Sequence, residues 1–218
     1  MRRVALAGVA GGVVVLLVVA QLVLPGVAAQ RVRDQLGRSG QVLSVQVHAF
    51  PAIELLWHQA DRVVIRLGRY RTPVGKLGSS LRQSGDVGSL DATATEVDTG
   101  LLALHDAHLV KRGSRLTASA TVSDADLHAA LPILQSVTPV ATTGGQLTLQ
   151  GTASLFGVTA TVQAVVRAVG GRLVVTPNVP LGGFATITVF SNPHVAVQSV
   201  GASPVPGGFS VHGIALVH

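Results

Sequence analysis

Val158-Thr159-Ala160-Thr161-Val162-Gln163-Ala164-Val165-Val166, continuing through Arg167-Ala168-Val169 into Gly170-Gly171 and then Arg172-Leu173-Val174-Val175-Thr176, reads as a strand, a tight turn and a second strand. Its period is two: Val158, Ala160, Val162, Ala164 and Val166 oppose Thr159, Thr161, Gln163 and Val165. The second face is small and uncharged, so neither face is built like an ordinary solvated surface. The same holds for Phe184 to Phe190, where Ala185, Ile187 and Val189 oppose Phe184, Thr186, Thr188 and Phe190. From Leu127 to His218 only Arg167 and Arg172 carry charge. Charge normally keeps the outer face of a sheet in water, so such a region must hide both faces or hold something apolar against one. Two readings follow. One is a sandwich core with Thr/Ser-rich outer faces and no ligand. The other is a curved sheet wrapped round a helix, with an elongated apolar groove lined by Val162, Val166, Ile187 and Val189.

Working outward, the meander includes Gln146 to Leu155 before this hairpin, and Val195 to Val200 and Gly208 to Val217 after it. Upstream, Ser123-Asp124-Ala125-Asp126 is a helix N-cap with acids in the first turn, and Leu127, Ala130, Leu131 and Leu134 follow at helical spacing, kinked or cut short by Pro132. Further strands are predicted at Val42 to Ala49, Asp61 to Arg69, Leu90 to Val97 and Leu101 to Val110. Lys111-Arg112-Gly113-Ser114 then turns the chain into Arg115 to Val122. In the first of these strands Leu43, Val45 and Val47 share the apolar face. Pro25 to Leu36 reads as a short amphipathic helix with Val27, Ala28, Val32 and Leu36 inward, and Lys76 to Gln83 as another helix. The fold class is α+β, dominated by antiparallel sheet.

Arg2 and Arg3 precede an uncharged run from Val4 to Gln30 that is almost wholly aliphatic as far as Leu24. The run exceeds the roughly 7–15 residues of a secretory h-region and approaches the roughly 20 that span a bilayer. Residues 1–29 are therefore a signal peptide, cut after Val27-Ala28-Ala29, or a membrane anchor. Residues 30–218 form one extracytoplasmic domain. The chain has no cysteine, which excludes disulfides, thiol catalysis and cysteine-ligated zinc. Its net charge of +6 comes from few charges rather than a polybasic tract, a poor basis for nucleic-acid binding. Aromatic residues are 3% of the chain, too few for the two girdles of a membrane β-barrel.

Catalytic signatures are weak. His105-Asp106-Ala107-His108 resembles a metal fragment, but on a strand its two histidines face opposite ways. Asp124 and Asp126 suit a helix start better than paired-carboxylate chemistry, and neither a Gly-x-Ser-x-Gly elbow nor a phosphate loop is present. No catalytic residue, metal or cofactor is expected. Phe50, Leu55, Leu56 and Trp57 form the densest bulky apolar cluster outside the N-terminal run, a groove entrance or membrane-touching lip on one reading and a plug at the sheet end on the other. Arg62, Arg66 and Arg69, or Lys111, Arg112 and Arg115, could meet a phosphate at the mouth, or could simply solvate a sheet edge.

The order of these elements resembles the LmeA-like family of actinobacterial envelope phospholipid-binding proteins. The resemblance rests on Leu24-Pro25-Gly26-Val27-Ala28 before a short basic helix, Ala49-Phe50-Pro51-Ala52-Ile53 and Leu55-Leu56-Trp57 before Asp61-Arg62-Val63-Val64-Ile65, and Thr121-Val122-Ser123-Asp124-Ala125-Asp126-Leu127. It closes on Pro206-Gly207-Gly208-Phe209-Ser210-Val211-His212-Gly213. It implies a long twisted antiparallel sheet rolled over helices, like half of a tubular (BPI-like) lipid-binding fold. It also implies a non-enzymatic role with phospholipid and the membrane surface as partners in the periplasm or cell envelope. A ligand-free envelope scaffold with a protein partner, and an envelope hydrolase, are the alternatives.

Overall fold

Period-two alternation is realised almost everywhere it was expected. The computed structural model describes residues 24–49, 60–72, 87–100, 102–130, 134–155, 158–178 and 186–218. A helix over residues 24–37 (α1) leads into β1 (Gly40–His48), β2 (Ala60–Arg71), β3 (Val87–Asp98), β4 (Ala103–Arg112) and β5 (Arg115–Ser123). A short helix, α2 (Asp124–Ala130), then precedes β6 (Leu134–Thr143), β7 (Gln146–Leu155), β8 (Val158–Val169), β9 (Arg172–Asn178), β10 (Ile187–Phe190), β11 (Val195–Val205) and β12 (Gly208–Val217). The strands form two sheets: a larger one in the order β1-β2-β3-β4-β5-β12-β11 and a smaller one in the order β10-β9-β8-β7-β6.

Register places the core. Val47 pairs with Val63 and Val63 with Leu90; Leu90 pairs with Lys111, Lys111 with Leu116 and Leu116 with Ala215. Cross-strand partners project to one side. Val45, Val47, Val63, Leu90, Leu116, Val122, Phe209, Ala215 and Val217, all buried, thus lie on a single face of the larger sheet. Two bodies cover that face. At the β1–β3 end Ala28, Ala29 and Val32 of α1 pack on Val45, Val47, Val63 and Leu90. Towards β5, β12 and β11, Val122, Ala202 and Phe209 pack against Leu147 and Val166 of the smaller sheet, joined by Leu127 of α2.

The joint between the sheets depends on two glycine turns. β11 is an edge strand, and its Val197 and Val200 amides donate to the carbonyls of Gly171 and Gly145 at 2.9 and 3.1 Å. A Cβ on Gly145 would lie 3.0 Å from the Ser199 Cβ, and one on Gly171 3.2 Å from the Ala196 Cβ. Both glycines have positive φ, so they supply the turn and the close approach together. The three residues from Val197 to Val200 span roughly 10 Å, about two inter-strand spacings. The β6–β7 and β8–β9 hairpins therefore present their tips side by side to the β11 edge, which is thereby closed to other strands.

Several expectations need correction. The sheet is divided in two rather than one long surface, because the meander from β6 to β10 pairs only with itself and meets the larger sheet through its hairpin tips. One pair, β2 and β3, is parallel, and the stretch between Arg71 and Val87 supplies the crossover length that a parallel pair requires. Leu134 starts a strand rather than ending a helix. Pro139 is tolerated there because β6 is the edge of its sheet, and the register shifts just after it. Leu43 is 57% exposed rather than inward, since shifts between Gly40, Val42 and Ser44 put it out of phase with Val45 and Val47. Val27 also faces outward, with Ala28 and Ala29 taking the inner face of α1. Lys76 to Gln83 and the cluster Phe50, Leu55, Leu56 and Trp57 lie outside the described residues.

Candidate functional site

The apolar face of the larger sheet is not covered evenly. Along β5, Leu116 and Ala120 are buried, yet Ala118 between them on the same face is exposed. Its cross-strand neighbours are Leu109 and Gly213, Ala92 continues the same row beyond Leu109, and the next row on that face holds Ala94 and Ala107. Small residues here leave a low floor between α1 and the smaller sheet. Phe190 closes one side of it by packing against Leu116, Val195, Ala215 and Val217.

A second uncovered stretch belongs to the smaller sheet. Ile187 pairs with Val175, Val175 with Val166 and Val166 with Leu147, so these four share one face. Leu147 and Val166 are buried against the larger sheet, but Ile187 is 60% and Val189 42% exposed. Further along β8, Val162 is half-buried and Ala160 exposed. Of the four residues expected to line a groove, Val166 is a core residue. Val162 and Ile187 stand where the same apolar face runs out beyond its cover, whereas a register shift between Thr188 and Phe190 leaves Val189 without a cross-strand partner.

The arginines expected to act together are separated. Arg62 and Arg66 lie on the outer face of the larger sheet. Arg69, an odd number of residues on, lies on the opposite face in a 3.0 Å ion pair with Glu96. Arg71 is held likewise by Asp98 at 2.8 Å; that carboxyl is held below its ordinary value by the Gly100 amide and then by Arg71. Sequence reading missed Lys111 as a core residue. It is 2% exposed between Leu90 and Leu116, and its ammonium donates to the Val87 carbonyl at 2.5 Å.

His105 and His108 each meet a different acid, Asp126 at 2.7 Å and Asp91 at 3.2 Å, and a register shift between them, with Asp106 at φ +48, interrupts the simple alternation expected of this strand. Ser123 caps α2, accepting from the Asp126 amide at 3.1 Å and donating to the Asp126 carboxylate. That bond, and then the one from His105, hold the Asp126 carboxyl below its ordinary value. The carboxylate sits between hydroxyl and imidazole, so the imidazole cannot take the serine proton directly. This arrangement ties β4 to the start of α2 rather than activating a nucleophile. Among the described residues no group of three or more His, Cys, Asp or Glu is placed to hold a metal ion.

A family model described as LmeA-like phospholipid-binding matches residues 15–202, most of the chain. The chain belongs to the LmeA-like phospholipid-binding family. Membership supports a lipid-binding role and covers both sheets as far as the middle of β11. No curated protein and no solved structure matches the chain.

Proposed function

We propose that this LmeA-like chain is a non-enzymatic lipid carrier or sensor of the cell envelope that shields phospholipid acyl chains against the apolar face described above. The observation that carries the reading is the row Leu147, Val166, Val175 and Ile187. It begins in the core and ends 60% exposed at Ile187, in a β region whose only charges are Arg167 and Arg172. The exposed Ala118 between buried neighbours supports a path across the larger sheet as well. Energetics are sufficient without polar chemistry. Each buried methylene contributes about 0.8 kcal/mol, so half of a sixteen-carbon chain would contribute roughly 6 kcal/mol.

The architecture in this reading is half of a tubular lipid-binding fold, with α1 and the smaller sheet as covers over one rolled face. Residues 1–29 act as an anchor rather than a cleaved leader. In support, α1 runs without a break through 24–37, and its Ala28 and Ala29 pack on the core, so cleavage after Ala29 would sever a packed helix. No helix among the described residues is long and apolar enough to cross a membrane, and residues 1–23 lie outside them. The domain is extracytoplasmic on this reading, and a protein partner in the envelope is compatible with it.

The test is organic extraction of the purified chain followed by mass spectrometry. A phospholipid in stoichiometric amount is the expected result. Absence of lipid, with none taken up from vesicles, overturns the reading in favour of a scaffold.

A further inference from the structure

Strand register gathers arginines that are distant in sequence. Arg62 of β2 is the partner of Ser89 in β3, Ser89 of Arg112 in β4, and Arg112 of Arg115 in β5; His48 of β1 stands opposite Arg62. His48, Arg62, Arg112 and Arg115 therefore form one transverse row on the outer face of the larger sheet, and all four are exposed. With strands about 4.8 Å apart, Arg62 and Arg115 are separated by roughly 15 Å. Arg66 lies on the same face, one turn of the alternation beyond the next row.

Contacts among the described residues do not account for this row. Arg112 and Arg115 face each other directly, a like-charge pair that destabilises a hairpin. Among the described residues no carboxylate forms an ion pair with Arg62, Arg66, Arg112 or Arg115, although Arg69 and Arg71 of the same β2 strand are both paired. Asp91, an acid of the described residues on that face, is bonded to His108. A cleft of about 470 Å³ opens within the row, lined by Arg62, Ser89, Asp91, Val110 and Arg112 together with the intervening Leu90 and Lys111.

We propose that this row is an electrostatic docking surface for an anionic bilayer, meeting the phosphates of its head groups while the opposite, apolar face handles the acyl chains. A bilayer rather than a single phosphate is favoured by shape: the cations stand in an exposed line and do not converge. The choice of a lipid surface rests on the phospholipid-binding reading above.

The experiment measures binding of the full chain to vesicles of phosphatidylcholine alone and of equimolar phosphatidylcholine and phosphatidylglycerol. The ratio of the two affinities cancels any insertion of the apolar N-terminus. Each arginine near an anionic surface changes partitioning by about fivefold. Arg62→Gln, Arg112→Gln and Arg115→Gln together should therefore lower the ratio by on the order of a hundredfold at low salt. Replacing the same three by Lys should preserve it, and Arg69→Gln with Arg71→Gln should leave it unchanged. A wild-type ratio in the triple Gln variant, or equal loss in the Arg69/Arg71 control, overturns the proposal. Lipid extracted from the same preparations separates the two readings. Bound phospholipid with no anionic preference removes the row alone, whereas anionic preference without bound lipid keeps the row and removes the groove.

Discussion

The two sheets obey the same alternation and treat their faces differently. Off the core, the larger sheet presents Arg62, Arg66, Asp91, Arg112 and Arg115, while the smaller presents Thr148, Gln150, Thr161 and Gln163, with charge only at Arg167 and Arg172 near the β8–β9 turn. On the core side, the larger sheet is covered near both ends, whereas the cover of the smaller sheet stops between Val166 and Ile187. A charged face keeps a sheet in water by itself. The smaller sheet has only Arg167 and Arg172 for this, so its order depends on the joint with β11 and β12, and the rest of its apolar face stands uncovered.

That dependence is broken most severely at the joint's centre. Phe209 is 5% exposed among Val122, Leu147, Val166 and Ala202, and Phe209→Ala should cost about 3–5 kcal/mol. This is a large share of a typical 5–15 kcal/mol. In hydrogen exchange, β7 to β9 should lose protection before β2 to β4. Equal loss in both sheets would show that the smaller sheet does not rely on the joint.

A smaller effect should come from the tips. Gly145→Ala places a Cβ at φ +76 and 3.0 Å from Ser199, a cost of about 1–2 kcal/mol in urea denaturation. Gly113→Ala has the same φ sign but open space around it, and serves as the control for turn strain alone. If both cost the same, the close approach to β11 contributes nothing.

Much of this was legible in the sequence because it is local. Gly113-Ser114 turns β4 into β5, β12 runs over Gly208–Val217, and Ser123 caps α2, all as read from residue type and spacing. What escaped was non-local or phase-dependent. Leu134 continued the helical spacing of Leu127, Ala130 and Leu131, and nothing nearby reveals that a sheet edge would accept Pro139. Leu43 alternates correctly, and only pairing with β2 shows that β1 is shifted there. Arg62 shares a strand with Arg69, yet strand parity separates them and register joins Arg62 to Arg112 and Arg115. The groove residues divided for a similar reason: alternation gives the face of Val166 and Ile187, and only packing shows where the cover ends.

The link between the sheets through α2 gives a pH-dependent contrast. The Asp126 carboxyl is held below its ordinary 3.8 by Ser123 and then His105. A depressed folded-state value contributes stability that is present above 3.8 and lost as pH falls through the folded value. Asp126→Asn should therefore be less stable than wild type near neutrality, by about 0.3–1 kcal/mol for an acid lost from the first turn of a helix. The difference from wild type should narrow as the pH drops below 3.8, followed by urea midpoints at a series of pH values. A constant difference would mean that the capping geometry, rather than the charge, holds α2 to β4.

The smallest effect on folding is the most informative about function. Ile187 shares a face with core residues but is 60% exposed, so Ile187→Thr should change stability by less than about 0.5 kcal/mol. Against a bound acyl chain the same change removes roughly one to two methylene contacts at about 0.8 kcal/mol each, a loss of about four- to fifteenfold in lipid affinity. Val166→Thr cannot make this distinction, since it perturbs the joint and any groove together. Unchanged lipid retention in a stable Ile187→Thr variant would confine the lipid to the gap at Ala118, where Ala118→Gln, on an exposed position of β5, should then displace it.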